Sequence, residues 1–245
     1  MGKIKLELLE LTSTNIKFTI NSNVSFANAL RRILLGETPI VAIDYIEVEE
    51  NTSIFPDEML ANRLGFLPLE NKNNLKDKNN CTCENYCDDC ALVLILNKTN
   101  KTSENINVLG KDLIIEGSGR PANLLNNTFI CKLAPNQTLK IKCIARKGLV
   151  RNGSITHAKY CPVSAVSFYY DKNNAKKHTN LWTENQETIK ETWPFINEDP
   201  TEFDYSKVDQ ITMNVEIVEG VGKPKDILYK ALSIYKEKMI QILNE

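Results

Sequence analysis

Four of the seven cysteines fall within ten residues: Cys81, Cys83, Cys87 and Cys90. Gaps of one to three residues let their sulfurs converge on a single cation, and four thiolates around Zn²⁺ at roughly 2.3 Å make a closed tetrahedral site. A closed site has no open position for a substrate, so its expected role is to hold a loop in shape. The Cys-x-Cys start is tighter than the usual two-residue gap and demands a sharp turn, for which Thr82 and Asn85 are suited. Four thiolates outweigh one Zn²⁺ in charge, and Glu84, Asp88 and Asp89 add to the imbalance. Lys76 and Lys78, just upstream, can offset it. An iron–sulfur cluster is the alternative occupant of the same thiols, but their crowding favours one structural Zn²⁺.

The remaining chemistry-bearing residues are sparse. Cys131 shares strand parity with Phe129 and Leu133, and Cys143 with Leu139, Ile141 and Ala145. Both thiols are therefore expected on an inward face as small hydrophobes, while Cys161 abuts Pro162 and is open to partial exposure. The two histidines, His157 and His178, lie near no nucleophile, and no glycine-rich phosphate loop is present. Catalysis is not expected. Of the 245 residues, 42% are hydrophobic and 25% charged, with a net charge of −1. That is an ordinary soluble composition without the basic stripe of a stand-alone nucleic-acid binder. No apolar run approaches the roughly 20 residues of a membrane span. The opening Met-Gly-Lys-Ile-Lys lacks a signal-peptide pattern, so an intracellular setting with reduced thiols is expected.

The elements that must carry the cysteine loop follow from periodicity. Residues 3–9 and 15–21 alternate as paired strands. A helix over about 25–35 presents Phe26, Leu30, Ile33 and Leu34 on one stripe, with Ser25 as its expected N-cap and Gly36 at its end. Arg31 and Arg32 flank that stripe. A strand follows on Val41, Ile43 and Tyr45, and a change of parity to Ile46 and Val48 predicts a bulge. A second helix begins near Pro56, residues 71–80 are a polar loop, and short strands are expected around 91–97, 111–116, 128–133 and 138–146. Residues 164–170 and 210–219 alternate again, the latter most regularly. Between them, 171–207 is polar and aperiodic, with Trp182, Trp193 and Phe195 as isolated anchors. The last helix, 224–243, carries Leu228, Leu232, Tyr235, Met239 and Ile242 at 4-3-4-3 spacing. A second stripe of Ile227, Ala231, Ile234 and Leu243 widens that face. Two stripes on one terminal helix call for a second covering surface, and a partner helix is the natural one. The expected class is α+β: a discontinuous domain of residues 1–48 and 164–245, an antiparallel sheet with amphipathic helices, into which a mainly β domain of 49–163 with the loop 81–90 is inserted.

Several segments carry a family resemblance. Asn23–Leu35 (NVSFANALRRILL) resembles the first-helix motif of the α-type subunits of cellular RNA polymerases. Pro39–Glu49 resembles the strand that follows it, Asp57–Leu69 (DEMLANRLGFLPL) the segment leading into the inserted domain, and His157–Pro162 the segment leading out. The cysteine spacing is similar to that of the third-largest subunits of eukaryotic RNA polymerase II. The resemblance implies a non-catalytic, nuclear subunit whose discontinuous domain pairs with a smaller α-like subunit. That pair would be the platform for the largest and second-largest subunits and for small zinc-binding subunits, with no sequence-specific nucleic-acid contact of its own. It implies partner-binding roles for Phe26, Leu30, Ile33, Leu34, Leu228, Leu232, Tyr235, Met239 and Ile242, and large-subunit contact for Arg31 and Arg32. Some archaeal relatives hold iron–sulfur clusters in this region, which keeps that alternative open. The competing function is an independent zinc-containing transcription or redox factor. It would be a stable monomer with either salt-sensitive DNA affinity or an exposed reactive thiol.

Overall fold

The computed structural model describes residues 5–69, 75–118, 127–151, 153–169, 208 and 210–244. Strands β1 (Leu6–Leu11) and β2 (Asn15–Ile20) form a hairpin closed by Thr12, whose Oγ1 accepts from Asn15 N at 2.9 Å. Helix α1 (Val24–Gly36) follows. Its N-cap is Asn23 rather than the expected Ser25. The Asn23 Oδ1 accepts from Phe26 N at 2.9 Å, the third helical N–H, which is the geometry an N-cap needs. At the other end Glu37 N and Thr38 Oγ1 both donate to Ile33 O, at 2.9 and 3.0 Å.

Strand β3 (Ile40–Asn51) leads to helix α2 (Asp57–Gly65). Then come β4 (Ala91–Thr99), β5 (Ile106–Leu109), β6 (Leu113–Ile115), β7 (Phe129–Leu133), β8 (Thr138–Gly148), β9 (Val163–Tyr169) and β10 (Ile211–Ile217). Helix α3 (Pro224–Asn244) ends the described chain. The short β5 was not expected from the sequence; four residues give period-two alternation little to work on. The aperiodic 171–207 lies outside the described residues.

The strands form antiparallel sheets in the orders β1-β2-β10-β9 and β3-β8-β4-β6, with β5 and β7 as a separate pair. In β10 the alternation expected from sequence is kept: Ile211, Met213, Val215 and Ile217 are buried while Thr212, Asn214 and Glu216 are not. Those four meet Phe18 and Ile20 of β2 and the buried faces of α1 and α3 in one core. A second core joins Leu60 and Leu64 of α2 to Leu94, Leu96, Val108, Ile141 and Cys143.

Strand β3 is where the two cores meet. It pairs with β8 along its length and so belongs to the second sheet, although residues up to 48 were expected in the first domain. Alternation explains this. Ile40 and Ala42 face the first core, and Val41 and Ile43 face the second. The predicted bulge is present, as a register shift between Ile43 and Tyr45 with another between Val48 and Glu50. The junction is sealed by the fully buried Tyr160, in a 3-10 turn at Ala158–Tyr160, packed beneath Gly148. A Cβ at Gly148 would sit 2.6 Å from the Tyr160 ring, so the glycine is what lets the ring approach.

Candidate metal centre and partner surface

The four cysteine sulfurs all lie within 4.8 Å of one another. Cys81 Sγ is 3.4 Å from Cys83 Sγ and 3.5 Å from Cys87 Sγ, and Cys90 Sγ is 3.5 Å from Cys83 and 3.8 Å from Cys87. Ligands at about 2.3 Å from a tetrahedral ion are about 3.8 Å apart, so the cage has the size a tetrathiolate metal site requires. Disulfide sulfurs would be only about 2.05 Å apart, and all seven thiols are free. The donor set therefore fits a single soft divalent ion, and Cys81, Cys83, Cys87 and Cys90 would hold it.

Local hydrogen bonds build this cage. Cys90 N and Ala91 N both donate to Cys87 O, at 3.1 and 2.9 Å, turning the chain from the loop straight into β4. On the other side a 3-10 turn at Lys78–Asn80 is capped by Asp77 and aims Cys81 inward. Contacts from the body hold the loop: Arg146 Nη2 of β8 donates to Asn85 O at 2.5 Å, Ser154 Oγ donates to Asp77 Oδ1 at 2.5 Å, and Lys142 Nζ of β8 lies 5.5 Å from the centroid of the Tyr86 ring. Arg146 is itself held by Asp44 (Nη1 to Oδ2, 3.3 Å) and lies over the Tyr45 ring, 5.0 Å from its centroid.

The charge compensation expected from Lys76 and Lys78 is divided between them. Lys78 Nζ donates to Cys83 O at 2.7 Å and to Cys83 Sγ at 3.1 Å, and it holds that thiol below its usual range. Lys76 instead pairs with Asp89 at 2.6 Å. Burial pushes Cys90 up to about 12, so metal loading must displace a proton there and metal affinity will fall as pH falls. Replacing Lys78 by Met is expected to weaken metal affinity about 10- to 100-fold, the range for removing a group that supports a ligand. Competition with a colorimetric chelator measures it, and unchanged affinity would remove Lys78 from the site. The other thiols behave as small hydrophobes: burial raises Cys131 to about 11 and Cys143 to about 12. Cys161 is half-buried and donates to Val163 O and Leu35 O, at 3.1 and 3.3 Å.

The helix residues assigned to partners divide by burial. Leu30, Ile33, Leu34 and Leu228 are at most 5% exposed and hold α1 and α3 onto their own sheet, so their side chains present no surface. Phe26, Leu232 and Tyr235 are partly buried against the same core, with Phe26 and Tyr235 edge-to-face at 5.0 Å. Met239 and Ile242 are exposed, together with Ile240 and Leu243. Helix α3 thus packs through Ile227, Leu228 and Ala231, then runs on with an apolar end that stays exposed among the described residues; Lys238 pairs with Glu37 to hold its direction. Arg31 is turned onto Asn28 Oδ1, at 2.9 and 3.2 Å, while Arg32 is exposed.

One apolar strip was missed from the sequence. Leu6, Leu8 and Leu11 of β1 stand opposite Ile20, Phe18 and Ile16, and opposed residues share a face. The helices cover β2 but stop short of β1, leaving these leucines 40–47% exposed on the face that is dry one strand away. Alternation revealed the strand, but no local signal says where a helix stops covering it.

Comparison with known proteins agrees with this arrangement. The model of the family described as the RNA polymerase Rpb3/Rpb11 dimerisation domain matches residues 18–239. The DNA-directed RNA polymerase II subunit RPB3 of Schizosaccharomyces pombe is 31% identical, over 98% of this chain and 86% of its own. The subunit rpb3 of Dictyostelium discoideum is 32% identical, over 97% and 93%. The archaeal subunit Rpo3 of Methanothermobacter thermautotrophicus is 33% identical, over 67% and 61%. With a paired-sheet-and-helix body, a tetrathiol loop and near full-length similarity to these subunits, the chain belongs to the RNA polymerase Rpb3/Rpb11 dimerisation family and is Rpb3-like.

Proposed function

We propose that this chain is the non-catalytic, α-like third subunit of a nuclear RNA polymerase II. It pairs with a smaller α-like subunit to form the platform on which the largest and second-largest subunits and small zinc-binding subunits assemble. The observation that carries this reading is the apolar surface continuous with the first core: the β1 leucines and the free end of α3, exposed in the isolated chain. A monomer does not leave such strips beside its own core without a partner to cover them. Within the assembly, residues 1–48 and 164–245 act as the pairing domain and 49–163 as the insert, with β3 joining the two by pairing into the insert's sheet while facing both cores. Cys81, Cys83, Cys87 and Cys90 hold one structural Zn²⁺, which supplies a fixed cross-link and no reaction. Arg32, exposed beside the α1 core positions, is free to reach carboxylates of a large subunit.

Co-expression tests the reading. Alone, the chain is expected to aggregate or elute as large species; with the smaller α-like subunit it is expected to elute as a 1:1 complex on size-exclusion chromatography. A stable, monodisperse monomer that ignores the α-like subunit would overturn it.

A further inference from the structure

Helix α2 buries one face and leaves a second, organised one outside. Leu60, Leu64 and, just beyond the helix, Leu67 point into the second core. At the complementary spacing Met59, Arg63 and Phe66 point out, all exposed, with Phe66 at 58%. The guanidinium of Arg63 lies over two rings, its Cζ 5.6 Å from the centroids of both Phe55 and Phe129. Its Nη2 also donates to Phe129 O at 3.3 Å. An exposed arginine seldom has so fixed a position, and the stacking leaves the rest of its fork of donors free. Among the described residues no carboxylate pairs with it.

Beside this arginine is a half-open, mainly apolar cavity of about 170 Å³, lined by Phe66, Leu67, Pro68, Phe129 and Ile130 with Arg63 and Thr128 as its polar members. An apolar cavity of about 150 Å³ is enough to take benzene, so this one has room for a single leucine or phenylalanine side chain. Beyond Phe66 stands His157, edge-on to its ring at 5.9 Å. His157 Nδ1 accepts from Lys159 N at 3.0 Å, which leaves the other ring nitrogen to face outward as a donor.

We propose that the outer face of α2 is a docking site for an acidic protein segment. The segment seats one leucine or phenylalanine in the cavity and places a neighbouring Asp or Glu on Arg63. Charge complementarity chooses this occupant: a fixed cation with open donors borders an apolar hole. A polyphosphate backbone is the poorer match, because it needs several cations in a row and this face offers one arginine and one histidine. The site stands on the second core, whereas the pairing surface of β1 and α3 extends from the first. It therefore serves a different neighbour from the α-like subunit. The segment's source is another polymerase subunit, which rests on the function proposed above.

The test uses the assembled polymerase, purified through a tag on this chain and carrying the photo-crosslinker p-benzoylphenylalanine in place of Phe66. The expected product is a cross-link to another subunit, within three residues of an apolar side chain that neighbours Asp or Glu. Arg63→Glu is expected to cut its yield at least tenfold and Arg63→Lys to retain part of it. The α-like subunit should stay at wild-type stoichiometry in both variants, and an unchanged melting curve confirms that they fold. No inter-subunit cross-link, a cross-link to nucleic acid, a segment lacking carboxylates, or a yield indifferent to Arg63→Glu would each overturn the proposal. If the unmodified chain fails to pair with the α-like subunit, the function above fails instead, and that is seen before irradiation.

Discussion

Cys90→Ser is expected to strip the chain of its metal and release residues 76–92 from hydrogen-exchange protection, with the first sheet left folded. The size of the effect comes from how little else holds this loop. The core beneath it has only Cys90, Ala91 and Ile144 as fully buried members. Packed against it are Tyr45, Tyr86 and the ligands Cys81, Cys83 and Cys87, while most other residues of the loop are Asn, Asp, Glu and Lys, which gain little from burial. Structural zinc in small peptides is worth about 10–16 kcal/mol at neutral pH, so here the ion would be the principal cross-link. Cys90 is the ligand with the most structural consequence, because it is 1% exposed and opens directly into β4. Fraying should reach the first rungs of that strand, Ala91 opposite Arg146 and Leu92 opposite Ala145. It should stop there, since Leu94 and Leu96 are held by the second core. The first core is built from Phe18, Leu30, Met213 and their neighbours and draws no residue from the loop. Metal content by plasma mass spectrometry should fall from one ion per chain to near none in the presence of a mild chelator. Exchange should rise over 76–92 only. Equal loss of protection over 15–20 and 211–217 would show that the loop is part of one cooperative unit with the pairing sheet.

The second large effect is expected at the free end of α3. The double change Ile242→Asp with Leu243→Asp should weaken pairing with the smaller α-like subunit by about 10²- to 10⁴-fold. Fully burying an aliphatic side chain contributes about 1.5–3 kcal/mol, so losing two costs about 3–6 kcal/mol. Burying carboxylates in their place can only add to that. The chain itself should fold as before, because these side chains are 64% and 83% exposed and lie beyond the last buried residue of the helix, Ala231. The contrast is Leu228→Asp, which places a charge in the first core and should prevent folding outright. Competition of tagged variant against wild-type chain for the α-like subunit during co-expression, with hydrogen exchange over 15–20 and 211–217 in the recovered complex as the folding control, separates the two outcomes. Undiminished affinity in a folded double variant would move the pairing surface elsewhere, and the β1 leucines would be the next to test.

How much of this could be read from residue order depends on the range of the forces involved. The thiol cage was legible because its chemistry is local: four ligands within ten residues can converge whatever the rest of the chain does. Strand β10 was legible because one wet and one dry face leave a period of two. The amphipathic helices were legible for the corresponding reason. The N-cap was misplaced by two residues because Asn23 and Ser25 are both good capping types, and only the backbone path shows which oxygen reaches a free N–H. The domain boundary near residue 48 was read from the shared style of the two chain ends, and strand β3 stands across it. Both sides of the strand are dry, each facing a different core, and that depends on β8, about a hundred residues away.

The same distinction runs through the functional surfaces. The pattern of α1 and α3 established that their apolar stripes must be covered. It could not say by what, because a buried leucine and a docking leucine have the same spacing and the same transfer free energy. Packing made that choice: the sheet takes Leu30, Ile33, Leu34 and Leu228, and it leaves Met239, Ile242 and the β1 leucines uncovered. Arg63 makes the same point in reverse, an ordinary helix charge in the sequence until the fold brings the rings of Phe55 and Phe129 against it. Ligand chemistry is set by the atoms a residue brings, whereas exposure is set by what arrives from far along the chain to cover them.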